Sequence, residues 1–303
     1  MNEETTQTPD RLPPFQAASD PRLASVDPIN FSVVQLHTFY DDIPLGPATG
    51  FFFKVLAGTN WNCLLITNWH VLTGRNSEDL SVLHTKGSIP NRLRISLLLQ
   101  PNQPEHNGRE NEILIQDQMI NLYNAEGKAL WFQHRTRSAV DAAVIGLMPL
   151  DRYYFCGINE VANQNDMAIQ IGNEVFILGY PLGFAHFMKT PIWKRGSIAS
   201  EPNLETAETR SRVVIDATTR QGMSGGPVIM RAKTHYVTDE GQVKEHVNAT
   251  RWIGIYASRP DLPSVASGTE EDRRAEVGFF YKSGNVMEVI TQGIPGPDFG
   301  LAS

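Results

Sequence analysis

Cysteine is nearly absent: the 303-residue chain has two, Cys63 and Cys156. A secreted scaffold stapled by several disulfides is therefore excluded. One bridge between them stays open, but two buried free thiols are the expectation, and they suit a reducing cytoplasm. Also missing is any apolar run of the roughly 20 residues that a membrane-spanning helix needs. The longest, such as Phe51 to Val55, are of strand length. Met1 to Asp20 lacks the basic start and apolar centre of a secretory signal. Concentrated positive charge is lacking too, with 26 Lys and Arg against 33 Asp and Glu, a formal charge of −7. Phosphate backbones need a basic surface, so nucleic acid is not an expected partner, and neither is a membrane. No His-Glu-x-x-His and no paired Cys/His spacing occurs, so neither a metal nor another cofactor is called for.

What is present is a hydrophobic fraction of 41%, that of a globular protein, distributed in short runs. Residues 1–28 are polar and proline-bearing and read as a flexible tail. Strand-like runs follow at Phe31–Phe39, Gly50–Leu56, Cys63–Thr67, Leu93–Gln100, Glu112–Tyr123, Ala129–His134 and Ala142–Met148. A second series covers Glu174–Gly179, Arg195–Ser200, Arg212–Ala217, Pro227–Arg231, Trp252–Ala257 and Val277–Tyr281. Gly, Pro, Asn and Asp punctuate the gaps, which favours barrels or sandwiches over an alternating α/β sheet. Helix is expected only at Val71–Gly74 and Asn285–Thr291. Lys233–Thr250 reads as a charged hairpin excursion and Arg259–Ala275 as a charged loop.

Three segments carry chemistry. In Gly222-Met223-Ser224-Gly225-Gly226-Pro227 a serine sits among glycines. A hydroxyl is a weak nucleophile until a neighbouring base takes its proton, and glycines let the backbone turn so that N–H groups converge on a developing oxyanion. The donors would be the amides of Gly222 and Ser224. In Leu64-Leu65-Ile66-Thr67-Asn68-Trp69-His70 an apolar strand delivers His70 to the start of a helical turn. In Val140-Asp141-Ala142-Ala143-Val144-Ile145 one acid opens an apolar strand, where burial demands a partner. A histidine N–H would serve and would fix the tautomer of the ring. The other seven histidines have no such setting. The serine segment also satisfies Gly-x-Ser-x-Gly of α/β-hydrolase esterases, but that reading needs a helix after the serine and the order Ser, acid, His. The obvious downstream acid and base for it are Asp239 and His246, both in the charged hairpin.

Taken together, these segments resemble the trypsin/chymotrypsin superfamily, in particular bacterial trypsin-like peptidases of the HtrA-like kind without a PDZ domain. The family orders its triad His, Asp, Ser, as in His70, Asp141 and Ser224 here. Further matches are Gly50-Phe51-Phe52-Phe53, Phe176 to Gly183, Arg195 to Ser200, Asp216-Ala217-Thr218 and Gly278-Phe279-Phe280 with the helix behind them. The resemblance implies two antiparallel six-stranded β-barrels, about 29–150 and 165–291, with a short C-terminal helix and a tail over 292–303. It implies a serine endopeptidase that forms an acyl-enzyme on peptide or protein substrates. A catalytically silent binding module on the same fold is the alternative.

Departures from the family narrow this further. Digestive members carry Asp before the serine, to pair with a freed N-terminus; Met223 cannot. No disulfide cysteine follows His70. With no activation route of that kind, restraint by a regulatory protein partner or by an inactive resting loop is expected. The resemblance puts Thr218 at the floor of the primary pocket and Tyr256, Ala257, Ser258 and Gly278 along its walls. No acid lies among them, so a small or medium apolar side chain is the expected substrate feature.

Overall fold

The computed structural model describes residues 20–299 apart from 58–59, 84–86, 102, 109–111, 148, 205–211 and 259–276. The expected loop at 259–275 and residues 1–19 of the expected tail lie outside the described residues. The first half contains β1 (Val33–Tyr40), β2 (Ile43–Ala57), β3 (Asn60–Thr67), α1 (Trp69–Thr73), β4 (Arg92–Leu99), β5 (Ile115–Asn121), β6 (Trp131–Gln133), β7 (Ala143–Gly146) and β8 (Tyr153–Tyr154). The short helix α2 (Ile158–Val161) leads into the second half. There follow β9 (Glu174–Gly179), β10 (Ile192–Ile198), β11 (Arg212–Asp216), β12 (Pro227–Ala232), β13 (His235–Val237), β14 (Val243–Glu245), β15 (Ala249–Ser258) and β16 (Val277–Lys282). The chain closes with α3 (Ser283–Gln292) and β17 (Ile294–Pro295).

The second half is a closed ring of six strands in the order β10-β11-β16-β15-β12-β9. Its interior is filled by side chains such as Val175, Ile177, Val213, Ile215, Val228 and Ile253, each no more than 1% exposed. One expected barrel is thus present as drawn. The first half is a curled sheet with the path β17-β6-β7-β3-β2-β1-β4-β5, and β8 pairs with β4. Its ladders do not close; the two ends meet at the isolated bridge Tyr123–Ala129 and through Leu130 N–H donating to Leu122 O at 2.9 Å. The alternation of exposed and half-buried residues along β5 is that of a sheet edge, which needs only one face covered. The β1–β2 hairpin turns on Asp41-Asp42, with Asp41 at φ 51°, the positive φ that two-residue hairpins require.

The halves share one apolar core. Phe51, Phe53, Ile66 and Val144 from the sheet meet Trp252, Ile255 and Tyr281 from the ring and Val286 and Val289 from α3. Trp252 lies between Phe51 and Phe53, with ring centroids 5.6 and 5.7 Å away. Burying a side chain like Phe51, which is fully covered, is worth about 2–3 kcal/mol, so this seam holds the halves rigidly.

Two expected boundaries move. Residues 20–28, assigned to the tail, are packed: Leu23 is buried against Phe31, Leu98 and Tyr154, and Asp20 is buried on Tyr154. Within the expected C-terminal tail, β17 pairs with β6. A few apolar residues among prolines find partners far away in sequence, which composition does not reveal. The hairpin read over 233–250 contains the two-stranded pair β13–β14. Among the described residues no helix is long and apolar enough to cross a membrane.

Candidate active site

His70 enters from the strand-to-helix step. Trp69, 1% exposed, anchors α1 in the core and donates its indole N–H to Gln133 Oε1 at 2.6 Å. Gly74, at φ 64°, closes the helix by donating its amide to His70 O. β3 pairs with β7 through Thr67–Ala143, and continuing that register past the strand ends sets Asp141 beside Trp69 and His70. Asp141 uses both carboxylate oxygens on His70: Oδ1 accepts the His70 backbone N–H at 2.9 Å, and Oδ2 lies 2.6 Å from Nδ1. Asn68 donates to the Asp141 carbonyl at 2.7 Å, fixing the backbone under the acid. A carboxylate on Nδ1 holds the proton there and leaves Nε2 as the basic nitrogen. The Asp141 side chain is 8% exposed and the His70 side chain 18%, so the acid is sheltered and the ring reaches the surface.

The serine segment hangs between β11 and β12 and rests on the other half of the molecule. Gly225 stands at φ +86°, and a Cβ there would fall 2.2 Å from Thr49 O and 3.2 Å from Asn68 N. Gly222 stands at φ +94°, where a Cβ would fall 2.3 Å from Tyr180 O. Only glycine fits either place, and the close approach brings Gly225, the residue after Ser224, against Asn68, two residues before His70. Met223 is fully buried in the ring interior, an apolar anchor where the digestive enzymes keep an acid.

The amide inventory of this loop is selective. Met223 N–H donates to Arg220 O, Gly225 N–H to Tyr256 O and Gly226 N–H to Met223 O. Among the described residues the amides of Gly222 and Ser224 have no partner. Backbone amides in a packed loop are usually paired, so these two free ones, at Gly222 and at the serine itself, form a donor pair suited to an oxyanion. Ser224 Oγ likewise makes no hydrogen bond among the described residues; in ligand-free sites such bonds are often long and tighten around substrate.

One residue at the centre of the loop's support is absent from the motifs. Thr49, fully buried, donates its hydroxyl to Gly222 O at 2.7 Å and accepts Tyr180 N–H at 3.1 Å. Its amide donates to Ser224 O at 2.9 Å, and its carbonyl accepts the Thr67 hydroxyl at 2.8 Å. Its position immediately before Gly50-Phe51-Phe52-Phe53 was the only available signal.

Of the residues assigned to the substrate pocket, Thr218 is half-buried, Gly278 is buried and Ala257 is 1% exposed. Ser258 pairs with Phe279, and its side chain lies outside the described residues. Tyr256 is 2% exposed and shares a 2.5 Å hydrogen bond with the hydroxyl of Thr219, which sequence reasoning passed over in favour of its neighbour. The esterase reading fails on the chain's course: strand β12 begins directly after the serine loop, where that fold needs a helix. Asp239 pairs with Arg251, and His246 is exposed in the hairpin region. Both cysteines are free and buried, and burial pushes the Cys63 thiol up to about 12. Among the described residues no group of three or more His, Cys, Asp or Glu could hold a metal ion.

Residues 48–235, more than half of the chain, match the model of the trypsin-like peptidase domain. The chain belongs to this family of trypsin-like peptidases and is, at that level, a serine protease. A search of the curated proteins finds no match. Solved structures similar to it include the Rv3671c protease of M. tuberculosis in an inactive form, 16% identical over 93% of this chain and 98% of that one, with a TM-score of 0.42. The HtrA-type protease AlgW with tripeptide is 14% identical over 92% of this chain and 62% of its own, with a TM-score of 0.47. A serine endoprotease from Yersinia pestis is 16% identical over 92% of this chain and 66% of its own, with a TM-score of 0.38.

Proposed function

We propose that the chain is a serine endopeptidase with Ser224 as nucleophile, His70 as general base and acid, and Asp141 as the carboxylate that orients His70. The observation that carries this is the pair of unpartnered amides at Gly222 and Ser224, on a loop that packs against Thr49, Thr67 and Asn68, two residues before His70. In the reaction, Ser224 Oγ attacks the peptide carbonyl carbon while His70 Nε2 takes its proton. The carbonyl oxygen becomes an oxyanion and accepts from the two free amides, which have no bond to give up first. His70 returns the proton to the leaving amine, an ester to Ser224 remains, and water activated by the same nitrogen hydrolyses it. Asp141 stays ionised throughout and stabilises the imidazolium. No cofactor takes part in this scheme.

A protein or peptide substrate in a reducing cytoplasm belongs to the same reading, supported by the two free buried thiols. So does a regulatory protein partner that adjusts this activity without being required for it, because buried Met223 offers no ion pair to a freed N-terminus. The test is hydrolysis of denatured casein by the intact chain and Asp141→Asn. The amide keeps the shape but presents the wrong hydrogen-bond partner to Nδ1, so kcat should fall on the order of 10,000-fold with KM little changed. Equal kcat for the two proteins would remove Asp141 from the mechanism, and a folded chain that cleaves nothing would favour a silent binding module.

A further inference from the structure

We propose that Tyr256 plugs the primary pocket and restricts this peptidase to substrates with alanine, glycine or serine on the acyl side of the cleaved bond. The proposal rests on the reading of Ser224 given above. Tyr256 is tied to the nucleophile loop by its own backbone: its N–H donates to Gly226 O at 2.8 Å, and its carbonyl accepts Gly225 N–H at 3.1 Å. The acyl-side chain of a substrate held on Ser224 must enter between the loop at 218–224 and the strand ends at Tyr256 and Gly278. That space holds the phenol ring.

The ring crosses from its strand to the near arm of the serine loop, where its hydroxyl meets Thr219 Oγ1 at 2.5 Å. Along the way it lies against Gly278 so closely that a Cβ there would sit 2.8 Å from Cε2. Tyr256 and Thr219 are 2% and 1% exposed, so the ring is held at both ends and sealed from water. Swinging it aside for a large substrate group would break this buried hydrogen bond, at a cost in free energy. The remaining walls are small and neutral: Thr218, Ala257 and Gly278. Among the described residues these walls carry no charge to recruit Lys or Arg, and the ring takes the depth that Leu or Phe would need. The pocket's limit is therefore set by a side chain of the enzyme rather than by the length of its loops.

The experiment uses the full chain and four peptidyl diphenyl phosphonates that differ only in the residue occupying this pocket: Ala, Val, Leu or Phe. Each inactivation rate is divided by the same protein's rate with a plain fluorophosphonate, which carries no such side chain. For the intact chain the Ala ratio should exceed the Leu and Phe ratios by about 100-fold, the discrimination a tight apolar site can supply. Tyr256→Val should raise the Leu ratio at least about tenfold relative to Ala. Tyr256→Phe keeps the ring and is expected to keep the alanine preference, which covers the case in which Tyr256→Val does not fold. Equal Ala, Leu and Phe ratios in the intact chain would overturn the proposal, as would a folded Tyr256→Val with unchanged order. Absence of fluorophosphonate labelling in the intact chain would instead remove the reading of Ser224, and this proposal with it.

Discussion

Thr49 shows how much of the site depends on a residue outside its motifs. Its hydroxyl holds Gly222 O, in the peptide unit between the free amides, and its amide holds Ser224 O, in the unit just after them. Thr49→Val keeps the shape but leaves Gly222 O and Tyr180 N–H without that partner in a buried place. Each orphaned group costs about 1–3 kcal/mol, part of it as misplacement of the loop. The fluorophosphonate rate should fall about 10- to 100-fold, and Thr49→Ser should restore most of it because the hydroxyl returns. A Val variant as fast as the intact chain would mean that the loop holds itself. The partners of this threonine lie 173 and 131 residues away along the chain. That separation is why it was silent in the sequence, whereas Ser224 was announced by the glycines around it. Tyr256 was legible as a pocket residue but not as a plug, because strand periodicity says which face a ring is on and not how far it reaches.

Among the elements, the ones read most directly were those whose burial alternates and whose ends carry turn residues. β9 has the bounds expected for it, and β4, β11, β12 and β16 differ by a residue at one or both ends. β2 and β15 run longer than expected because pairing with β1 carries β2 through the proline- and glycine-bearing stretch 43–49 and pairing with β12 carries β15 through Ala249, Thr250 and Arg251. The segment at 20–28 was the poorest reading, since its anchors are one leucine and the ion pairs of Asp20 and Asp27. Asp20 accepts from the Arg22 amide at 3.0 Å, from Arg22 Nη2 at 2.6 Å and from the Tyr154 hydroxyl at 2.9 Å. The Arg22 guanidinium holds the Asp20 carboxyl down at about 2, against the raising effect of burial. A folded-state pKa below the unfolded one adds stability above the unfolded value, near 3.8, and that stability is lost as pH falls toward 2. Asp20→Asn should therefore melt lower than the intact chain at pH 6, with the gap closing between pH 4 and pH 2. A gap that stays constant over that range, or none at pH 6, would show that the Asp20 ion pair does not hold the segment.

Across the whole molecule, the site exists only where the two halves meet. His70 and Asp141 belong to the sheet and Ser224 to the loop before β12, while Phe51, Phe53 and Trp252 fill the seam behind them. Tyr180 stitches the same boundary, its hydroxyl donating to Val33 O at 3.1 Å and lying 2.8 Å from Lys189 O. The chain order His, Asp, Ser could be read from the sequence, as could the strand-rich halves. The openness of the first sheet and the free amides of the loop could not, since both depend on pairing between distant segments. The most direct measurement is fluorophosphonate labelling of the intact chain beside Ser224→Ala and His70→Ala. The account predicts labelling of the intact protein, none of Ser224→Ala, and a rate lower by several orders of magnitude for His70→Ala. Labelling that survives in Ser224→Ala, or an intact folded chain that takes no label, would contradict it.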